Sequence, residues 1–262
     1  MIALILGTSE GRNILSLLNE FTDNILVSTA TAYGGDILKT YKYKTLNTKP
    51  LDLSGLKQML IKQGVSVLVD ASHPYALDIT KNCKEACAEL EIKYLRYERP
   101  SISEKYLNTD KFIPVSNYEE LINKISSIEE LNNKDSVILN TTGSRNIHKL
   151  MNTEVKSRIV HRVLPAGDII KYCLDLGVII EDIIAIKGPI SYELNLGFIS
   201  QYNAKAIILK DSGKQGGTEE KIQAALDRDI YIFVIEREKQ KFEHIFYSEE
   251  QLAQYVKENN LY

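Results

Sequence analysis

Five polar segments of this chain each follow a short apolar run, and they hold the side chains best suited to bind an anion or to move a proton. They are GTSEGR at 7–12, DASHPYA at 70–76, TTGSR at 141–145, RVLP at 162–165 and KDSG at 210–213. If the apolar runs are strands of a parallel sheet, all five segments lie at strand carboxyl ends, where α/β proteins bind their ligands. The sequence therefore predicts a ligand site assembled from strand ends.

The first segment is a glycine turn between an apolar run and a helical pattern. Such a turn can hold an anion through backbone N–H groups and the helix dipole. Gly7 and Gly11 alone are present, so the segment is not the G-x-G-x-x-G fingerprint, and no acidic ribose-binding residue follows about twenty residues later. Ser28 and Thr29 stand there instead, and their hydroxyls suit a ribose or a 2′-phosphate equally, which leaves NAD and NADP both open. A tight turn without a ligand is the alternative interpretation.

His73 is the histidine found within these segments. It precedes Pro74, which keeps the backbone of His73 extended and so fixes the direction of its ring. Asp70 could orient that ring, although a cap on the following helix is the simpler role for this carboxylate. No nucleophile elbow accompanies them, so the sequence does not predict a Ser–His–Asp hydrolase.

Basic side chains recur near the predicted strand ends. They are Arg12, Arg96, Arg99, Arg145, Arg162, Lys187 and Lys210. The whole chain has 32 Lys and Arg against 35 Asp and Glu, a net charge of −3, which argues against a nucleic-acid-binding protein. An anionic ligand must therefore be held by a local basic cluster, because arginine forks match carboxylates and phosphates. The glycine-rich stretch 213–217 could add a phosphate-binding or lid loop, while Thr218 could simply cap the next helix.

Alternating strand and helix patterns must position these residues. In the first half, strands are predicted at 2–6, 24–30, 65–69 and 92–96, and helices at 10–21, 53–63 and 76–90. Ser54 and Gly64 are predicted to cap the helix at 53–63. A polar stretch then separates this series from a second one, and alternation of this kind predicts mainly parallel sheets flanked by helices. We expect two α/β domains, residues 1–100 and 101–262, with the active site in the cleft between them and the last helix free to pack back on the first domain.

Composition and cysteine usage disfavour several classes of protein. No run of about 18 apolar residues could span a membrane, and the apolar N-terminus lacks the basic leader of an export signal. Cys83, Cys87 and Cys173 form no C-x-x-C pair, and a metal site at Cys83 and Cys87 would need further ligands. We therefore expect a cytoplasmic protein without a bound metal, with small buried cysteines and with no membrane, nucleic-acid or obligate protein partner.

Seven stretches, in one order and spread over nearly the whole chain, resemble a single enzyme family. They are LILGTSEGR at 4–12, VDASHPYA at 69–76, YLRYERP at 94–100, TTGSRN at 141–146, RVLP at 162–165, KGPIS with a following Glu and Asn at 187–195, and LKDSGKQGG with a following EKI at 209–222. On these motifs the chain resembles the precorrin-6A reductase family of cobalamin biosynthesis, which includes the cobalt-precorrin-6A reductases. One departure is Leu6, because relatives often have a second glycine before Gly7.

The resemblance implies two Rossmann-like domains and an enzyme that uses NADPH or NADH to saturate one double bond of the macrocycle. The product would be precorrin-6B or its cobalt complex. The residues implied in cofactor binding are Gly7, Thr8, Ser9, Glu10, Gly11, Arg12, Ser28, Thr29, Thr142, Gly143 and Ser144. The residues implied in binding the anionic tetrapyrrole are Arg96, Arg99, Arg145, Arg162, Lys187, Lys210, Asp211 and Ser212. Candidates for delivering the proton that accompanies hydride transfer are His73, Tyr75 and Lys210, with Glu10 and solvent water as alternatives.

Two other classes of protein stay open on the residues alone. A two-domain α/β protein can close on a small molecule without redox chemistry, although such binding proteins usually carry an export signal. A glycine-turn α/β domain can also hold S-adenosylmethionine for a transferase. A spectral change on mixing with NAD(P)H and substrate would separate all three.

Overall fold

Two parallel sheets of six strands each organise the residues that the computed structural model describes, which are 1–7, 10–30, 34–35, 37–238 and 240–262. These residues form two compact units. The first consists of Met1–Arg99 together with Lys239–Tyr262, and the second of Pro100–Glu238.

The sheet of the first unit has β1 near its centre. Its strands are β1 (Ile2–Leu6), β2 (Ile25–Thr29), β3 (Thr45–Asn47), β4 (Val67–Ala71), β5 (Lys93–Tyr97) and β12 (Ile245–Phe246), in the spatial order β12-β5-β4-β1-β2-β3. Its helices are α1 (Glu10–Leu18), α2 (Leu53–Gln63), α3 (Leu77–Glu89) and α8 (Glu249–Glu258). Strands β1, β2 and β4 are buried along their whole length, because a sheet covered by helices on both faces hides even continuous apolar runs.

Each face of this sheet has its own core. On one face α1 and α8 contribute Leu15, Leu18 and Val256 to a cluster with alternate residues of the central strands. On the other face α2 and α3 contribute Leu60 and Cys83 to a second cluster. The alternation of side chains along each strand therefore divides its apolar residues between two helical layers.

The second unit repeats this arrangement with different residues. Its strands are β6 (Phe112–Val115), β7 (Val137–Asn140), β8 (Arg158–Val163), β9 (Ile183–Ala185), β10 (Ala206–Lys210) and β11 (Tyr231–Ile235), in the order β6-β11-β10-β7-β8-β9. Its helices are α4 (Tyr118–Ser127), α5 (Gly167–Asp175), α6 (Tyr192–Gln201) and α7 (Thr218–Leu226). Helix α4 covers one face of the sheet, and α6 and α7 cover the other. The prediction of two Rossmann-like domains with parallel sheets flanked by helices is confirmed.

The edge strands β6 and β12 do not pair with the strand that precedes each of them in sequence. Strand β6 follows β5 in sequence but pairs with β11, whereas β12 follows β11 in sequence but pairs with β5. The segment from residue 239 onward therefore groups with residues 1–99, which differs from the predicted division into 1–100 and 101–262. The physical reason is that β6 and β12 are edge strands of four and two residues, too short for their periodicity to indicate a pairing partner.

Helix α2 shows how local chemistry sets the ends of an element. Its N-cap is Asp52, whose Oδ1 accepts a hydrogen bond from Gly55 N at 2.7 Å. The prediction that Ser54 caps this helix was wrong, because the carboxylate of Asp52, two residues earlier, already accepts the hydrogen bond from the first turn that an N-cap residue accepts. The prediction for Gly64 is confirmed, since this residue ends the helix in the left-handed conformation with φ of 62°.

Gly197 lies in the middle of the exposed side of α6, where no conformational need for glycine exists. A Cβ atom at this position would meet nothing within 4 Å. We expect Gly197→Ala to raise the free energy of unfolding by about 0.5 to 1 kcal/mol, because alanine loses less backbone entropy on entering a helix. Urea-induced unfolding measures the gain. Gly217→Ala is the matched control and is expected to destabilise, since Gly217 has φ of 66° and its Cβ would lie 3.0 Å from Pro189 Cβ.

The cysteines pack as small apolar side chains. Cys83, Cys87 and Cys173 are free and buried, as predicted. Burial raises the pKa of the Cys87 thiol to about 12, which leaves it protonated and unreactive at neutral pH. In the part of the chain that the structure describes, no three His, Cys, Asp or Glu side chains are grouped as metal ligands. Over the same residues, no helix combines the length and the apolar character needed to cross a bilayer.

Candidate active site

Each sheet contains one point at which the strand order changes direction. In the first unit the chain runs from β1 outward to β2 and β3, and then starts again beside β1 with β4 and β5. In the second unit the same reversal separates β7 from β10. Open α/β sheets bind ligands in the crevice at the carboxyl ends of these strands. Four of the five predicted segments, at 7–12, 70–76, 141–145 and 210–213, follow the strands that flank the two reversals.

Gly7 brings the first turn into close contact with the loop that carries His73. Its N–H donates to Ala71 O at 3.3 Å. A Cβ atom on Gly7 would stand 2.9 Å from His73 N and 3.2 Å from Ser72 Cα, distances that a side chain cannot adopt without moving backbone. Thr8 and Ser9, which were predicted to bind the cofactor, lie outside the described residues.

The first turn of α1 contributes Glu10 to a buried ion pair and also contains the half-buried Arg12. Arg99 Nη2 donates to Glu10 Oε2 at 2.5 Å, and Arg99 Nε also contacts Glu10 Oε1. Both side chains are buried, so the negative charge at the helix N-terminus is neutralised inside the protein. Arg12 differs, because its Nε is buried and has no hydrogen-bond partner among the described residues. An anion oxygen would satisfy this donor, which fits a phosphate or carboxylate held at the turn.

A buried polar cluster supports the loop after β4. Asp70 and Arg96 are 0% and 1% exposed, and Arg96 Nη1 lies 3.0 Å from Asp70 Oδ1. Tyr94 donates to Asp70 Oδ2 at 2.7 Å, and Ser72 N donates to Asp70 Oδ1 at 2.9 Å. The prediction that Asp70 caps the following helix was wrong, since α3 begins after Ala76 with no side-chain cap. The ion pair with Arg96 instead holds Asp70 within the strand.

His73 and Tyr75 are both half-buried in this loop. Tyr75 N donates to His73 Nδ1 at 3.2 Å, and their ring centroids are 5.8 Å apart. On strand β2, which lies on the other side of β1, Ser28 and Thr29 are almost fully buried. Ser28 Oγ accepts a hydrogen bond from Asn47 Nδ2 at 3.0 Å. The loop thus presents two partly exposed groups that could donate a proton beside the glycine turn.

In the second unit, the loop 141–145 rests on a buried amide that the sequence analysis did not single out. Asn140 Oδ1 accepts hydrogen bonds from Thr142 N at 3.1 Å and Thr142 Oγ1 at 2.8 Å. Gly143 has φ of 82°, and Ser144 and Arg145 follow it at increasing exposure. The signal for Asn140 was a polar residue at the last position of the apolar strand VILN, where a buried amide needs partners.

Asp211 organises its own neighbourhood rather than standing free for a ligand. Its Oδ2 accepts hydrogen bonds from Ser101 Oγ at 2.8 Å and from Ser103 N at 3.0 Å, and its Oδ1 accepts from Gly213 N at 3.0 Å. Burial favours the neutral acid, but these hydrogen bonds and the charge of Arg237 outweigh it and lower the pKa of Asp211.

Thr218 contributes to the same loop. Its Oγ1 accepts from Ser212 N at 3.0 Å, so its hydroxyl fixes the loop after β10. The N-cap of α7 is Gly217, which corrects the interpretation of Thr218 as a helix cap. The glycine-rich stretch is therefore anchored at both ends by side-chain hydrogen bonds.

Two basic side chains of the second unit, Arg162 on β8 and Lys221 on α7, have pKa values lowered by burial. Arg162 Nη1 donates to Asn195 Oδ1 at 3.0 Å, and burial lowers the pKa of Arg162 to about 10. Lys221 was not predicted, yet it is 5% exposed and donates to Gly216 O at 3.1 Å. Burial, with a smaller contribution from the charge of Arg162, lowers the pKa of Lys221 to about 7.

The other predicted basic residues of this unit are more accessible. Lys210 is half-buried, and burial together with the charges of Arg145 and Lys149 lowers its pKa. Arg145 and Lys187 are exposed. These side chains provide cations that a polyanionic ligand could reach without dismantling the core.

His161, on β8, gives the fold a distinct pH dependence. Burial lowers its pKa to about 4, from an ordinary value near 6.5. Between these values the unfolded chain binds a proton that the folded chain does not, so the free energy of unfolding falls as pH falls from about 6.5 to about 4. We expect a loss of about 3 kcal/mol across that window, measured by urea unfolding at several pH values. In His161→Asn, which cannot titrate there, this component should be absent; an unchanged pH dependence would contradict the assignment.

Comparison with known proteins agrees with the architecture and with the family resemblance. Residues 1–257 match the model of a family described as precorrin-6x reductase CbiJ/CobK. The chain is 33% identical to the cobalt-precorrin-6A reductase of Methanocaldococcus jannaschii over 97% of both chains. It is 31% identical to that of Priestia megaterium over 97% of this chain and 96% of the other. A precorrin-6A reductase of Mycobacterium tuberculosis is 25% identical over 90% of this chain and 88% of its own length.

A solved structure described as CobK precorrin-6A reductase shares the fold. Its TM-score is 0.74 over 99% of this chain and 97% of that chain, although the sequences are only 16% identical. The family model and the relatives cover nearly the whole length of the chain. The chain therefore belongs to the precorrin-6x reductase family.

Proposed function

We propose that this protein reduces one carbon–carbon double bond of precorrin-6A, or of its cobalt complex, with NADH or NADPH as reductant. The observation that carries the proposal is the family match over residues 1–257, together with relatives named as cobalt-precorrin-6A reductases that align over 97% of the chain. In the balanced reaction, one hydride and one proton are added to adjacent carbons, and the reduced nicotinamide becomes oxidised. A cytoplasmic location stays a prediction.

The turn at Gly7 is our candidate for the dinucleotide site. When bound, the nicotinamide supplies the hydride, and the protein supplies position and electrostatics. Gly7 allows the turn to lie against the backbone of His73, and the buried Nε of Arg12, which has no hydrogen-bond partner among the described residues, suits a phosphate oxygen. The hydroxyls of Ser28 and Thr29 lie at the end of the adjacent strand β2, where a ribose is bound in folds of this kind. Their role in binding rests on this placement.

The carboxylate groups of the macrocycle need cations that are accessible. Arg145, Lys187 and Lys210 meet this condition, because the first two are exposed and the third is half-buried. Arg96 and Arg99 are instead buried and paired with carboxylates of the same unit, so we assign them to positioning the loops rather than to direct binding. Arg162 and Ser212 stay candidates for the edge of the binding surface, whereas we assign Asp211 to holding its own turn.

The proton must come from a group that can lose it near neutral pH. His73 and Tyr75 lie in a partly exposed loop next to the glycine turn. Lys210 is a further candidate, since burial and its cationic neighbours lower its pKa and thereby make the ammonium a better acid. Replacing each residue in turn and comparing the solvent-isotope effect on kcat would identify the donor.

The decisive experiment mixes the purified protein anaerobically with NADH or NADPH and with precorrin-6A or its cobalt complex. Loss of nicotinamide absorbance coupled to a change in the macrocycle spectrum is the expected result with at least one pair. Arg12→Met should raise the KM for the nicotinamide cofactor roughly tenfold, because a charge-assisted hydrogen bond is lost. Arg228→Met, at an exposed arginine, is the matched control and should leave KM unchanged. Binding of the macrocycle without oxidation of either cofactor would instead favour a binding protein. Methylation of the macrocycle by S-adenosylmethionine would favour a transferase.

A further inference from the structure

A chain of hydrogen bonds with a single direction lies beneath the loop 141–145. The hydroxyl of Tyr118, at the start of α4, donates to Thr142 Oγ1 at 3.0 Å. Thr142 Oγ1 then donates to Asn140 Oδ1 at 2.8 Å, and Thr142 N donates to the same oxygen at 3.1 Å. Burial raises the pKa of Tyr118, so its hydroxyl keeps its proton and acts as the donor at neutral pH.

This chain determines the tautomer of His161. Because both donors of Thr142 meet Asn140 Oδ1, the other end of the amide, Nδ2, faces His161 Nδ1 at a distance of 3.0 Å. An amide N–H can only donate, so His161 Nδ1 must accept, and the ring proton of the neutral imidazole must lie on Nε2. Four side chains on α4, β7, the loop and β8 thus form one consistent donor-to-acceptor network.

Packing alone does not explain why polar side chains occupy the buried positions 140 and 161. Asn140 and His161 are 0% and 2% exposed and lie among strands whose neighbouring buried positions, such as Ile138 and Leu139, are apolar. Buried polar groups are tolerated when every partner is present, and here the partner at the exposed end of the network is Thr142, the second residue of the loop. The network therefore connects buried side chains of the sheet to Thr142 and so fixes the position of the loop 141–145.

We propose that Asn140, His161 and Tyr118 are positioning residues that hold the loop 141–145 in the conformation that receives the nicotinamide cofactor. The inference rests on the proposed function and on the prediction from the sequence that Thr142, Gly143 and Ser144 bind the cofactor. None of the three needs to touch the ligand, since they act through the hydroxyl and the backbone N–H of Thr142.

Two substitutions at position 161 separate this role from simple packing. In His161→Asn, Oδ1 is attached to Cγ as Nδ1 is in histidine, so it can still accept from Asn140. In His161→Leu no acceptor remains, and the Asn140 amide loses its buried partner. We expect His161→Leu to raise the KM for NADH or NADPH roughly tenfold with little change in kcat, and His161→Asn to restore most of the affinity. Tyr118→Phe, which removes one hydroxyl, should raise KM by a smaller factor, and His148→Leu, at an exposed histidine, should leave it unchanged.

Tryptic cleavage after Arg145 reports on the loop without any cofactor. Arg145 is exposed, so faster cleavage at this site measures release of the loop from the network. We expect faster cleavage in His161→Leu and in Tyr118→Phe, and cleavage at the parental rate in His161→Asn and His148→Leu. If His161→Leu does not fold, Tyr118→Phe and His161→Asn still test the proposal.

Nitrogen NMR of histidine-labelled protein tests the network directly. At pH 7 we expect the His161 signal of a neutral ring protonated on Nε2, whereas protonation on Nδ1 would overturn the proposed direction of the network. Unchanged KM and unchanged cleavage in a folded His161→Leu variant would overturn the positioning role. If the parental protein does not oxidise NADH or NADPH with either substrate, the proposed function fails, while the cleavage rates and the tautomer still decide whether the network holds the loop.

Discussion

Asp70→Ala is expected to lower the free energy of unfolding by about 3 to 5 kcal/mol, because the buried guanidinium of Arg96 loses its closest carboxylate and keeps the longer contact of its Nε with Glu98 Oε2 at 3.4 Å. Arg96 is 1% exposed and lies 3.0 Å from the Asp70 carboxylate. The same substitution removes the acceptor of the Tyr94 hydroxyl and of Ser72 N. Urea-induced unfolding followed by circular dichroism measures the loss.

A double substitution distinguishes loss of the charge pair from loss of packing. Asp70→Ala combined with Arg96→Met removes both charges, and we expect this variant to be more stable than Asp70→Ala alone. Asp78→Ala, at an exposed carboxylate in the first turn of α3, is the control and should cost less than about 1 kcal/mol. Equal stability of the single and double variants would contradict the view that the loss of Asp70 as the closest partner of the buried Arg96 dominates the cost.

Gly7→Ala is expected to lower kcat/KM roughly 100-fold, since a displacement of about 1 Å at a reacting site can have an effect of that size. The added Cβ would stand 2.9 Å from His73 N and 3.2 Å from Ser72 Cα, both backbone atoms. The turn and the loop that carries His73 must therefore separate. Steady-state oxidation of NADH or NADPH in the presence of the macrocycle measures the effect.

Gly11→Ala is the matched comparison in the same turn. There the added Cβ would meet the Leu6 side chain, whose terminal Cδ2 is the nearest atom at 2.4 Å. A flexible side chain can move aside, so we expect a loss of kcat/KM at least tenfold smaller than for Gly7→Ala. Similar losses at both positions would show that the close approach of Gly7 to the His73 loop is not what the site needs.

Local sequence patterns were sufficient to predict the bounds of an element where its pattern of apolar residues matches the period of its secondary structure. The strand at 2–6 and the helix at 53–63 occur at the predicted residues, because a continuous apolar run and a well-capped 3.6-residue period each have one good structural solution. The strand predicted at 65–69 instead runs from Val67 to Ala71. A sequence pattern ends a buried strand before a charged residue, whereas the chain continues through Asp70 because Arg96 neutralises it.

The residues of the candidate site were only partly predictable, because local patterns do not reveal which distant side chains form pairs. Placing the five polar segments after strands required nothing beyond the alternation of apolar and helical patterns. The partners of their charged side chains depend on residues far away in sequence, such as Glu10 with Arg99 or Asn140 with His161. These partners decide which arginines stay accessible to a ligand and which are committed to the core.

The sequence by itself determined the class of fold, the strand-end location of the polar segments and, through ordered motifs, the enzyme family. Periodicity and short motifs are local properties, and they can be recognised without knowledge of long-range contacts. Only the tertiary structure decided that β12, near the end of the chain, joins the sheet of the first unit, that Arg96 and Arg99 are buried in ion pairs, and that a neutral His161 lies beneath the loop 141–145. Each of these depends on pairing between distant residues, and the free energy of such pairing is set by burial in the folded chain rather than by neighbours in sequence.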